Sequence, residues 1–77
     1  MTVAELAAEL CRRWDSHLPT VARIVGEYAL IYGFVDRPVE GPLPTPPEVE
    51  LTAQQVQRIR DAYDLAEYRA GRQPIPL

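Results

Sequence analysis

Apolar and polar positions in residues 2–14, TVAELAAELCRRW, recur at helical spacing. Val3, Leu6, Ala7, Leu10 and Trp14 share one face, and Glu5, Glu9, Arg12 and Arg13 share the opposite one. Thr2 and Glu5 have the Thr-x-x-Glu spacing of a capping box, in which each side chain satisfies the other residue's free backbone N–H. The pattern predicts a helix over 2–14. Glu9 and Arg13 stand in the favourable i,i+4 order for an ion pair on its surface.

The stretch DSHLP, residues 15–19, breaks the periodicity. Ser16 is a candidate N-cap, and Pro19 suits a first helical turn, where its missing N–H costs nothing. A second helix is predicted over 19–35. It runs from about Pro19 to Tyr32 if Gly33 stops it in a left-handed turn, and to Val35 otherwise. The competing reading for 28–35 is a β-strand, because Tyr, Ile, Phe and Val favour strands. Helix is preferred because no second strand is evident to pair with. Val21, Ile24, Val25, Tyr28, Ile31 and Tyr32 then form a broad apolar face for neighbouring helices. Leu30 and Phe34 lie on the other side among Arg23 and Glu27. They need separate cover: the segment that follows, a second copy of the chain, or another protein.

Residues 36–50, DRPVEGPLPTPPEVE, hold five of the eight prolines and predict an extended acidic connector with no regular helix or strand. Leu43 and Val49 are its candidates for contact with the domain. Residues 52–70 predict a third helix. Thr52 and Gln55 form a second capping box, Leu51 and Val56 a hydrophobic staple, and Gly71 the stop. Its apolar stripe is Val56, Ile59, Tyr63, Ala66 and Ala70, with Leu65 and Tyr68 projecting roughly opposite. Residues 71–77 read as an extended tail. The expected fold is all-α: one small three-helix domain spanning 1–77, built as a helical hairpin, a proline-rich connector and a third helix packed back.

Composition narrows the chemistry. A chain of 77 residues has a marginal core, and small folds usually need a staple. One cysteine, Cys11, excludes an internal disulfide, and with a single histidine, His17, the chain lacks the four N or S ligands that a structural zinc site wants. Self-association or a partner is the staple that remains. All eight basic residues are arginine, which with the many alanines reflects a GC-rich, bacterial coding bias. No secretory signal is legible, and the uncharged run 28–35 is far shorter than the ~20 residues that span a bilayer. The unpaired thiol suits a reducing cytoplasm. The expectation is therefore a cytoplasmic protein without membrane contact.

No catalytic, cofactor-binding or metal-binding residue is assigned. Asp61, Asp64 and Glu67 are interleaved with Arg58 and Arg60, the texture of a solvated helix face. Cys11 reads as an inert thiol at the edge of a core and His17 as a turn residue. Pro44-x-x-Pro47 has the spacing read by polyproline-binding domains, but it lacks a flanking basic residue and reads more simply as a stiff spacer.

ELAAEL followed by TVARIV resembles the texture of helix-turn-helix regulators, whose helices are joined by a turn of about 3–4 residues. Here Cys11 stands where a turn glycine would, RRWDSHLP intervenes, and only Thr20 and Arg23 are offered near the start of the second helix. A net charge of −3 also argues against nucleic acid.

The expected function is non-enzymatic. The sequence reads as a small regulatory protein that self-associates, most simply as a homodimer, or docks on another protein, as toxin-neutralising proteins, phage-encoded inhibitors and accessory subunits do. The residues expected at the interface are Leu30, Phe34, Leu65 and Tyr68. A DNA-binding regulator is the alternative.

Overall fold

The computed structural model describes residues 1–35 and 48–76. These form three α-helices: α1 (Val3–Trp14), α2 (Leu18–Ile31) and α3 (Ala53–Arg69). The fold is all-α, as the periodicity predicts. Of the connector, residues 36–47, Leu43 included, lie outside the described residues.

Both N-terminal boxes are formed. The Thr2 hydroxyl accepts from Glu5 N–H at 3.1 Å while the Glu5 carboxylate accepts from Thr2 N–H at 2.8 Å. Thr52 and Gln55 repeat the exchange at 3.2 and 2.9 Å. The two starts lie side by side. Thr2 and Glu50 form an isolated antiparallel bridge, Val3 N–H donates to the Val49 carbonyl, and Leu51 N–H donates to the Met1 carbonyl. Val49 packs on the core, as expected of the connector's apolar side chains.

The helices end by different means. Asp15 closes α1 in the left-handed region, which Asp tolerates better than most side chains. Gly33 and Gly71 take positive φ, and each builds a Schellman motif. Gly33 and Phe34 N–H donate to the Leu30 and Ala29 carbonyls, and Gly71 and Arg72 N–H donate to those of Tyr68 and Glu67. The first motif settles the choice over 28–35. The segment is helix to Ile31 and then turns, so the helix stops short of Val35 and no strand forms. The second helix also begins earlier than Pro19. His17 is its N-cap, without a side-chain cap bond, and the candidate cap Ser16 directs its hydroxyl to the Trp14 carbonyl.

Contacts between α1 and α3 keep a fixed offset: Glu9 meets Arg60 and Arg13 meets Asp64, both 51 residues apart. The two helices therefore run parallel, while α2 returns antiparallel between their ends. The α1 core face is Val3, Leu6, Ala7, Leu10 and Trp14, as the pattern predicts. On α3, Val56, Ile59 and Tyr63 are buried, whereas Ala66 and Ala70 are exposed. Leu51 closes the staple over Val56.

The second helix is turned relative to the expected face. Val21, Val25 and Ala29 are buried with Gly26, while Ile24, Tyr28 and Tyr32 are half-buried and Ile31 is 72% exposed. The shift is about a quarter-turn, close to one residue's rotation at ~3.6 residues per turn. The side turned inward carries small residues, Gly26 and Ala29 buried and Ala22 half-buried, and small residues permit a closer approach to the core than a face of Ile and Tyr would.

Burial of tyrosine makes stability pH-dependent on the alkaline side. Burial raises the Tyr63 and Tyr28 hydroxyls above their ordinary value of 10.0. An acid raised in the folded state stabilises the fold below its unfolded pKa, and that contribution is lost as pH rises above about 10. Melting temperature should fall above that pH, and Tyr63→Phe should flatten the fall. An unchanged alkaline slope in Tyr63→Phe would show that Tyr63 does not carry the effect.

Candidate protein-interaction surfaces

Of the three carboxylates that the sequence reads as a solvated face, Asp61 stays exposed and, among the described residues, bonds only Gln57 on its own helix, whereas Asp64 and Glu67 are engaged by the fold. Arg60 forks Glu9, Nε to one oxygen at 2.7 Å and Nη2 to the other at 2.8 Å. Asp64 Oδ1 accepts from Trp14 Nε1 at 2.8 Å and from Arg13 Nε at 3.2 Å. These bonds hold the Arg13 and Arg60 guanidinium groups above their ordinary pKa, the carboxylate hydrogen bond being the main cause in each. Glu9 and Arg13 thus turn outward to α3, not to each other. Glu67 pairs with Arg72, which also reaches the Ser16 hydroxyl and the Trp14 carbonyl. The Ile75 N–H donates to the Arg13 carbonyl at 2.7 Å, so the tail is tied across the end of α1.

Reactive side chains are likewise committed. The Cys11 thiol donates to the Ser16 carbonyl, and the His17 ring faces the Thr20 hydroxyl at 3.2 Å. They do not form a nucleophile–base pair. Among the described residues no cluster of His, Cys, Asp and Glu could hold a metal ion, and no helix is long and apolar enough to cross a membrane.

Of the four expected interface residues, Leu30 and Phe34 are half-buried, and Leu65 and Tyr68 remain 49% and 48% exposed. Phe34 does not extend the helical face of Leu30. The Schellman turn carries it back, and its ring meets Tyr32 at 5.6 Å while the side chain packs on the core. Leu65 and Tyr68 sit one turn apart on the outer side of α3. The Tyr68 and Trp14 rings meet at 5.2 Å in a T-shaped arrangement. Ile31, which the sequence assigns to the interior, joins the exposed apolar side chains.

Near the other end of α3, Tyr32 is flanked by aromatic and cationic neighbours. Tyr28 lies nearly parallel to it at 5.9 Å with planes 8° apart, and the Arg58 guanidinium sits 4.4 Å from its ring centroid. Tyr32, Phe34, Thr52, Gln54, Gln55 and Arg58 line an open groove of about 620 Å³. Phe34 is the only one of these residues that the sequence reading assigns to an interface. The others were hidden because Gln54 and Arg58 look like ordinary polar surface until the Gly33 turn brings aromatic rings beside them.

The connection between α1 and α2 is Asp15–His17, three residues long and so within the length of a helix-turn-helix turn. The side chains available for reading DNA remain few, since Thr20 faces His17 and Arg23 is paired with Glu27 at 2.7 Å. Comparison with family models, curated proteins and solved structures gives no match to this chain.

Proposed function

We propose that this chain is a non-enzymatic regulatory protein that works through protein–protein contact, in its simplest form as a homodimer. The supporting observation is the pair Leu65 and Tyr68, two large side chains one turn apart and each about half exposed on the outer face of α3. Each large apolar side chain left in water forgoes about 1.5–3 kcal/mol of full burial. That is a substantial fraction of the stability of a small domain. A two-fold axis over this face would bring both pairs together, because an isologous contact uses the same patch on each copy.

Light scattering over a concentration series tests this. The unmodified protein should approach twice its chain mass of 8.7 kDa, and Leu65→Glu should weaken association at least about tenfold while leaving helicity unchanged. A chain that stays monomeric throughout, with Leu65→Glu as stable as the parent, would make this face ordinary surface.

The three-residue Asp15–His17 turn favours a second reading, a DNA-binding regulator. Net charge opposes it, since DNA affinity rests on neutralising phosphates. No specific duplex binding is expected at physiological salt. Submicromolar, salt-dependent binding in a shift assay, weakened by Arg23→Ala, would favour the DNA reading over the docking one.

A further inference from the structure

We infer that α3 meets the α3 of a second copy in antiparallel order, with Asp61 of each copy set against Arg69 of the other. The inference rests on the reading of the Leu65 and Tyr68 face as a homodimer contact, and it names the orientation and the charges that select it.

Leu65 lies midway between Asp61 and Arg69, four residues from each, and all three side chains are exposed. Helix positions at that spacing share a face. Asp61 and Arg69 carry opposite charges, but they stand eight residues apart, about 12 Å along the axis, and cannot meet within one chain. Neither has an ion-pair partner among the described residues. The Asp61 carboxylate accepts from Gln57 at 2.7 Å, one turn away on the same helix.

An antiparallel crossing centred on Leu65 brings level any two residues that lie equally far on either side of it. Asp61 then stands level with Arg69 of the second copy, and a two-fold axis repeats the pair. Tyr68 stands level with Ala62 of the second copy, a small residue that leaves room for a large ring. A parallel crossing sets Asp61 against Asp61 and Arg69 against Arg69, like against like at both ends. The charges therefore choose the antiparallel order. Their part is orientation more than strength, as for charges at the rim of an interface.

Arg58 and Arg72 also lie equally far from Leu65, but neither is directed at the crossing. Arg58 sits over the Tyr32 ring, and Arg72 follows the Gly71 turn to Glu67 and the Trp14 carbonyl. A partner of one charge sign, such as a nucleic acid or an anionic membrane, matches only half of a row with one charge of each sign. A second copy of the same row matches all of it.

The chain's own connector does not reach the far end of this row. Residues 36–47 are held at both ends near the start of α3, where Phe34 shares a groove with Thr52 and the Val49 carbonyl accepts from Val3. A segment of that length runs out and back over no more than about 23 Å. Arg69 is the last residue of the 17-residue α3, about 24 Å from its start.

The test is self-association of the full chain by light scattering, with circular dichroism to follow helicity and melting. Asp61→Asn and Arg69→Gln should each weaken association several-fold. Asp61→Arg and Arg69→Asp should each weaken it at least about tenfold, because like charges are then juxtaposed twice. Both reversals in one chain should restore association close to that of the parent, since they exchange the pair without removing it. All these variants should keep the parent's helicity in dilute solution, as surface changes do.

Stronger association of Asp61→Asn would show parallel order and overturn the proposal. So would a double reversal that fails to recover. Association that ignores both single reversals, while Leu65→Glu still disrupts it, removes the antiparallel charge pairing and leaves the dimer standing. A parent that stays monomeric removes both.

Discussion

Trp14→Ala should leave the chain largely unfolded at room temperature, whereas Trp14→Phe should fold with reduced stability. Trp14 is 1% exposed and is the largest fully buried side chain. It joins three parts of the structure. Its ring meets Tyr68, its Nε1–H donates to Asp64 on α3, and its carbonyl accepts from Arg72 of the tail. Truncating a buried Trp to Ala costs about 3–5 kcal/mol. At about 0.05–0.15 kcal/mol per residue, a chain of this length has only about 4–12 kcal/mol in total. At the low end of that range the loss takes the whole margin, and the Asp64 hydrogen bond and the Tyr68 ring contact go with it. Trp14→Phe keeps most of the apolar volume and removes the Asp64 hydrogen bond. Asp64 keeps Arg13, so the cost should be nearer 1–3 kcal/mol. Urea unfolding followed by circular dichroism separates the outcomes. If Trp14→Ala folds with a midpoint close to that of Trp14→Phe, the packing here is far looser than the structure indicates.

The reason Trp14 matters so much was only partly legible in the sequence. Its place on the apolar face of α1 follows from helical spacing, as do both capping boxes, the staple of Leu51 on Val56 and the stops at Gly33 and Gly71. These are local signals, each set by residues within a few positions of one another. The role of Asp64 is not local. In sequence it is one acid among alternating charges. It becomes the partner of Trp14 only because α1 and α3 run parallel at a fixed offset, which nothing in either helix specifies alone. The same holds for Arg72. Gly71 announces the end of α3, but not that the residue after it reaches over the end of α1. Of the expected interface residues, Leu65 and Tyr68 were legible as outward-facing because α3 is long, regular and thinly apolar. Phe34 was misplaced because a helical projection assumes the helix continues, and Gly33 ends it.

The turned second helix makes a prediction that separates size from fit. Val25→Asp should abolish folding, because Val25 is fully buried and an isolated carboxylate there would have no partner. Ile31→Asp should leave the melting temperature nearly unchanged, within about 0.5 kcal/mol, since surface changes away from specific contacts rarely exceed that. A face built on Ile24, Tyr28 and Ile31 predicts instead a heavy loss at Ile31, because that face would place a large aliphatic side chain in the interior. Phe34→Asp provides the second half of the contrast. On a continued helix, Phe34 would project away from the core and tolerate Asp within the isolated chain. In the structure it follows the Gly33 turn and lies against Tyr32 and the core, so Phe34→Asp should lose about 1–3 kcal/mol, most of the burial of a large apolar side chain. Thermal unfolding of both variants in dilute, monomeric solution decides between the two orientations. A destabilised Ile31→Asp beside an unaffected Phe34→Asp would restore the face of Ile24, Tyr28 and Ile31 and remove the inward placing of Ala22, Gly26 and Ala29.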